Sequence, residues 1–193
     1  MKKRILLLVT AAVLAMGMMA CGKGGNDAAN NTESGAVDMT AVEVLENVWA
    51  TYGDDEKFFA MGGDMNNMVD NAPGAYGMED TEALAYTFQV SADAFASVDE
   101  VASLLHAMNA NTFTGGAFHL TDAASADTFV AAVKDGVMNA QWMCGFPEKL
   151  VVITVHDEFV VSAFGNSELI ENFKTKVATV YGENAVVVVE ENL

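Results

Sequence analysis

Apolar and polar residues alternate with different periods along the chain, and each period predicts a different element. Three cationic residues, Lys2, Lys3 and Arg4, precede an apolar run from Ile5 to Met19 that only Thr10 and Gly17 interrupt. About 15 residues at ~1.5 Å each fall short of a ~30 Å hydrocarbon core, so residues 1–20 read as a cleaved export signal. Residues 21–38 open on Gly22-Lys23-Gly24-Gly25, continue through Asn, Asp, Thr, Glu and Ser to Gly35, and carry no apolar period. That composition reads as a flexible linker. The remaining periodic segments, residues 39–193, are long enough for one domain with its own core.

Within that domain Thr40-Ala41-Val42-Glu43 fits a capping box, and Val42, Leu45, Val48, Trp49 and Tyr52 then recur at helical spacing, so a first helix is predicted to end before Gly53. Gly53 to Asp80 is rich in Gly, Asp, Asn and Met with turn signals at Pro73-Gly74 and Tyr76-Gly77; Phe58, Met61, Met65 and Met68 within it fit one face of a short helix. Tyr86, Phe88 and Val90 alternate with polar residues and predict a strand over Ala85–Val90. Ser97-Val98-Asp99-Glu100 fits a second capping box, opening a helix through Val101, Leu104, Leu105 and Met108. Next come a strand from Phe113 to Leu120, with Gly115-Gly116 marking a bulge or close approach, and a helix from Ser125 to Gln141. Leu150–Val155 and Phe159–Phe164, three polar residues apart, predict an antiparallel hairpin. A last helix is capped by Asn166 or Ser167 and stopped by Gly182, and the valines of Ala185–Val189 read as a closing strand buried on both faces. The expected fold class is α+β, a mostly antiparallel sheet of about five strands with helices packed on one face.

The signal ends at Met18-Met19-Ala20-Cys21-Gly22, which resembles the lipobox of bacterial lipoproteins, although Met18 stands where Leu is usual. The resemblance implies lipidation of Cys21, which would become the mature N-terminus on the extracytoplasmic face of the cell membrane. The membrane is then one partner, held through lipid on Cys21. The first helix, the Tyr76-Gly77-Met78 turn, Val98-Asp99-Glu100-Val101 and Phe146-Pro147 before the hairpin are similar to a group of bacterial lipoproteins with one α+β domain of unassigned function. This likeness spans residues 40–182 and implies no activity, ligand or catalytic residue.

Charge narrows the function classes. All 27 acidic residues follow Cys21 but only six of the nine basic ones do, giving the mature chain a formal charge of −21 and no arginine. Nucleic-acid backbones and anionic headgroups are bound through Lys and Arg clusters, so nucleic acid is excluded as an expected partner. With Cys21 lipidated, Cys144 has no intramolecular disulfide partner and is expected to be a buried structural thiol.

Candidate chemistry is sparse. His106, His119 and His156 show no paired ligand spacing. The oxygen-rich set Asp54, Asp55, Glu56, Asp64, Asn66, Asp70 and Asn71 misses calcium-loop register, with Met68, Val69 and Ala75 where ligands or glycine are needed. Met61, Met65, Met68, His106 and Cys144 could serve copper as soft ligands, but core packing explains the methionines more simply. No serine sits in a nucleophile elbow, and Gly62-Gly63 and Gly115-Gly116 lack phosphate-loop context. The expectation is therefore no metal and no cofactor, with an enzyme disfavoured, and a lipid-anchored extracytoplasmic binding or interaction module for which a protein at the cell surface is the candidate partner. An enzyme whose site is assembled only in three dimensions and a metal-binding lipoprotein are the alternatives.

Overall fold

The computed structural model describes residues 37–193. The expected signal, Cys21 and the expected linker up to residue 36 lie outside the described residues. Among the described residues no helix is long and apolar enough to cross a membrane.

Helix α1 spans Ala41–Trp49 and starts as its sequence dictates: the Thr40 hydroxyl accepts from the Glu43 N–H at 3.2 Å while the Glu43 carboxylate accepts from the Thr40 N–H at 2.8 Å. Helix α2 spans Thr81–Phe88, α3 Ala126–Met138 and α4 Ser167–Tyr181. The sheet has eight strands: β1 Ala60–Gly62, β2 Val69–Asp70, β3 Gly74–Tyr76, β4 Val98–His106, β5 Phe113–Leu120, β6 Lys149–Val155, β7 Phe159–Gly165 and β8 Ala185–Asn192. Their order is β2-β1-β4-β5-β7-β6-β8, every pairing is antiparallel, and β3 joins the free edge of β4 beside β1.

The class α+β with a mostly antiparallel sheet holds, and several finer expectations do not. Five strands become eight because β1, β2 and β3, two or three residues each, are too short to show a period. Met61 therefore sits in a strand, and Met65 and Met68 lie exposed on the β1–β2 connection instead of lining a helix. Ala85–Phe88 of the expected strand belong to α2, where Leu84 and Phe88, four apart, are the buried positions and Asp80 caps the first turn, and Val90 follows the helix. The expected helix after Ser97 is β4. Its Val101, Ala102, Ser103 and Leu104 are all buried, so the strand shows no alternation and a helical template also fits it. The Ser97 hydroxyl closes a 3-10 turn by donating to the Ala94 carbonyl, and the Glu100 carboxylate accepts from the Ala41 N–H of α1.

That stretch of β4 is buried because helices cover both faces of the sheet, not one. Val44, Leu45 and Val48 of α1 and Ile170, Phe173 and Val177 of α4 pack on Leu104, Phe113, Ala117, Val151, Ile153 and Val161. On the opposite face Leu84 and Phe88 of α2 and Phe129, Val133 and Val137 of α3 pack on Val101, Phe118, Leu150, Val152 and Val160. Each such buried side chain contributes about 1.5–3 kcal/mol relative to exposure, which is how the domain coheres without a disulfide. Gly115-Gly116 carries no bulge; a Cβ on Gly116 would lie 2.7 Å from the Phe88 ring, so the glycine makes room for an aromatic side chain. Finally, β8 lies at the margin of the sheet and leaves Val186, Val187 and Val188 exposed, contrary to burial on both faces.

Antiparallel pairing gives the sheet two ends. Val98, Leu120, Val155, Phe159 and Ala185 mark one, and His106, Phe113, Lys149, Gly165 and Asn192 mark the other. The N-terminal segment joins at the first end, where the Val37 N–H donates to the Glu158 carboxylate at 3.1 Å.

Candidate functional site

The end of the sheet opposite Val37 carries the most distinctive surface. Helix α3 ends at its cap Asn139, whose side-chain amide donates to the Asp135 carbonyl at 2.7 Å, and the chain beyond turns at Gly145, φ +118°, two residues before Pro147. The resulting loop is clamped from two sides. Asn109 Nδ2 donates to the Cys144 carbonyl at 2.8 Å and Asn111 Nδ2 to the Gly145 carbonyl at 3.1 Å, both from the β4–β5 connection. At its exit the Glu148 carboxylate accepts from the Ser167 N–H at 2.9 Å, and the Glu148 carbonyl accepts from the Leu193 N–H at 2.9 Å. Trp142 packs on Phe164 with ring centroids 5.3 Å apart.

A backbone held this way presents apolar side chains to solvent. Phe146 is 78% exposed and Met143 88%. Two hollows flank Phe146. One, of about 170 Å³, is polar and lined by Asn109, Asn111, Glu148 and Asn166. The other, of about 240 Å³, is apolar and lined by Val137, Met138, Trp142, Pro147 and Leu193. An exposed aromatic thus stands between a polar and an apolar depression, with the Asn109 and Asn111 amides oriented beneath it. Cys144 lies exposed in this loop, which corrects the expectation of a buried thiol.

A larger groove of about 310 Å³ lies near the Val37 end, lined by Thr40, Tyr76, Met78, Asp99 and Glu100. Its polar groups are largely committed, since Thr40 and Glu100 serve the first turn of α1. At its lip a register shift between Val98 and Glu100 brings Asp99 to His119, with Oδ1 2.5 Å from Nδ1. A carboxylate on Nδ1 orients an imidazole as a base would need, but among the described residues His119 has no hydrogen bond to a serine, threonine or cysteine.

The other sequence candidates are placed as structural groups. His106 stacks on Phe58 with centroids 5.7 Å apart, and its Nδ1 accepts weakly from the Met108 and Asn109 N–H groups. His156 occupies the β6–β7 turn at φ +52° and meets Tyr181 edge-on. Asp64 accepts from the Asn66, Asn67 and Gly77 N–H groups, and the Gly77 and Asn66 bonds hold its carboxyl below the usual range. Glu56 bonds Lys176 and the Gly53 N–H, which lowers its carboxyl likewise. Among the described residues no three His, Cys, Asp or Glu side chains converge in a metal-holding arrangement. Asn109 and Asn111, which position the surface loop, carried no signal in the sequence beyond their turn propensity. No protein-family model, curated protein or solved structure matches the chain.

Proposed function

We propose that the chain is a lipid-anchored extracytoplasmic interaction module. Cys21 would hold it to the cell membrane, and the Phe146 surface would receive a protein partner. The observation that carries this reading is the exposed Phe146 on a loop clamped by Asn109 and Asn111, at the sheet end opposite Val37. That placement keeps the surface clear of the point where the linker leaves the domain. The Asn109 and Asn111 bonds hold the loop backbone before binding, so less backbone entropy is lost on docking.

The test is photo-crosslinking from native membranes with a crosslinking residue at position 146 and a control at position 86, where Tyr86 is equally exposed on α2. A discrete adduct at 146 and none at 86 is expected. Equal labelling at both positions, or none at 146, sinks the proposal. The anchor is tested separately by mass spectrometry of the mature N-terminus, which should carry a diacylglyceryl group on Cys21.

The His119–Asp99 pair favours a second reading, an enzyme working through the groove beside Thr40 and Tyr76. His119→Ala would abolish turnover of any substrate found there. If turnover survives that change, the pair is structural.

A further inference from the structure

We infer that β8 is a self-association edge, along which two copies of the chain pair β8 to β8, antiparallel, about a twofold axis. The composition of the strand is the first argument. Ala185-Val186-Val187-Val188-Val189 is the pattern of a strand covered on both faces, yet β8 pairs only with β6 and stands at the margin. Val186 is 53% exposed, Val187 44% and Val188 45%. Successive strand residues point to opposite faces, so apolar surface is open on both sides of the edge. A neighbouring strand backed by its own helices covers both at once.

Charge selects a second copy as that neighbour. Two chains of −21 repel one another wherever their acids meet. Along β8 the acids are already compensated. Lys134 Nζ lies 2.6 Å from Glu191, and Lys149 and Lys174 lie 2.5 and 2.8 Å from Glu190. Three of the mature chain's six lysines thus border this one strand. Setting Val188 opposite its own symmetry mate brings Val186 opposite Glu190 and Ala185 opposite Glu191, so no like charges face each other.

The backbone adds to the selectivity. The register of β6 and β8 shifts between Val152 and Ile153, leaving Val188 as the additional residue of a bulge. Such irregularities resist pairing with an arbitrary straight strand. Another copy carries the same irregularity at the matching place.

The experiment is sedimentation velocity on the mature chain carrying Cys21→Ser and Cys144→Ser, over roughly 1–300 µM. A concentration-dependent dimer is expected, and Val188→Lys should weaken it at least about tenfold with an unchanged circular dichroism spectrum, because Val188 is half exposed in the single copy. On the same background Val188→Cys should form a disulfide-linked dimer under mild oxidation, and Tyr86→Cys should not. A single monomeric species throughout the range overturns the inference. So does a dimer that Val188→Lys leaves intact, or one that Phe146→Ala abolishes. The Val188 variants are read independently of whether position 146 labels a partner in membranes.

Discussion

Gly136 of α3 sits directly under the backbone carbonyl of Gln89, so closely that a Cβ on the glycine would lie 1.8 Å from that oxygen. Gln89 ends α2 in the left-handed region at φ 55°, and the contact is where the two helices of one face meet. Gly136→Ala must push α3 away from the C-terminus of α2. A loss of about 2–3 kcal/mol is expected, read as a fall in Tm of roughly 5–10 °C by thermal denaturation. An unchanged Tm would show that the helices separate freely.

Tyr52 presents the opposite case, a group whose removal should help. Its hydroxyl is buried with no hydrogen-bond partner among the described residues, and burial, then the nearby Glu56 charge, push its phenol above the ordinary value. Its ring packs on Trp49 at 4.8 Å and lies beneath Lys176. Tyr52→Phe keeps those contacts and removes an unsatisfied polar atom, so stability should stay level or rise by up to ~1 kcal/mol. Tyr52→Ala should cost about 3–5 kcal/mol. Urea titration of both variants checks the pair, and a loss on Tyr52→Phe would reveal a partner for the hydroxyl.

Asp64 holds the β1–β2 connection to the end of β3 through three backbone N–H groups. Asp64→Ala leaves those donors without their acceptor and should cost about 1–3 kcal/mol. Hydrogen exchange should quicken from Gly62 to Gly77 and remain unchanged in β5 and β7. Uniform quickening would mean that the segment is not a separate unit.

Acid should weaken the β8 margin first. Hydrogen bonds from Lys149 and then Lys174 pull Glu190 down to about 2, and the same two lysines lower Glu171. Both carboxyls release protons more readily folded than unfolded. Their contribution is complete above the ordinary value of 4.5 and drains away as pH falls toward about 2. The groups are partly exposed, so each pair is worth no more than about 1 kcal/mol. Glu190→Gln should flatten the stability profile across that window while changing little at alkaline pH. A profile as steep as that of the unsubstituted chain would place the acid sensitivity elsewhere.

Elements whose signal is local were legible in the sequence. The Thr40–Glu43 box, the Asn166 cap of α4, the β6–β7 hairpin and the stop at Gly182 all depend on residues within a few positions of one another. α2 and β4 were misassigned for one shared reason. A strand covered on both faces loses its alternation, and at the end of the short helix Thr81–Phe88 the exposed Tyr86, the buried Phe88 and Val90 just beyond the helix mimic one. Helices on both faces are a property of chain crossovers, which no local pattern encodes. The surface at Phe146 was equally hidden. It depends on Asn109 reaching a carbonyl 35 residues away, and the sequence placed Cys144 inside the core where the clamp holds it outside.

The two margins of the sheet are unequal, and that sets a stoichiometry. At one margin the outer pieces are β2, two residues long, and β3, three. At the other β8 runs for eight. Polymerisation through strand addition requires two complementary edges per molecule, one to accept each neighbour. This chain offers one long edge, and an association that uses it leaves only fragments at either outer limit. Growth therefore terminates at a pair, and a valine-rich strand that would otherwise template fibres becomes a closed joint.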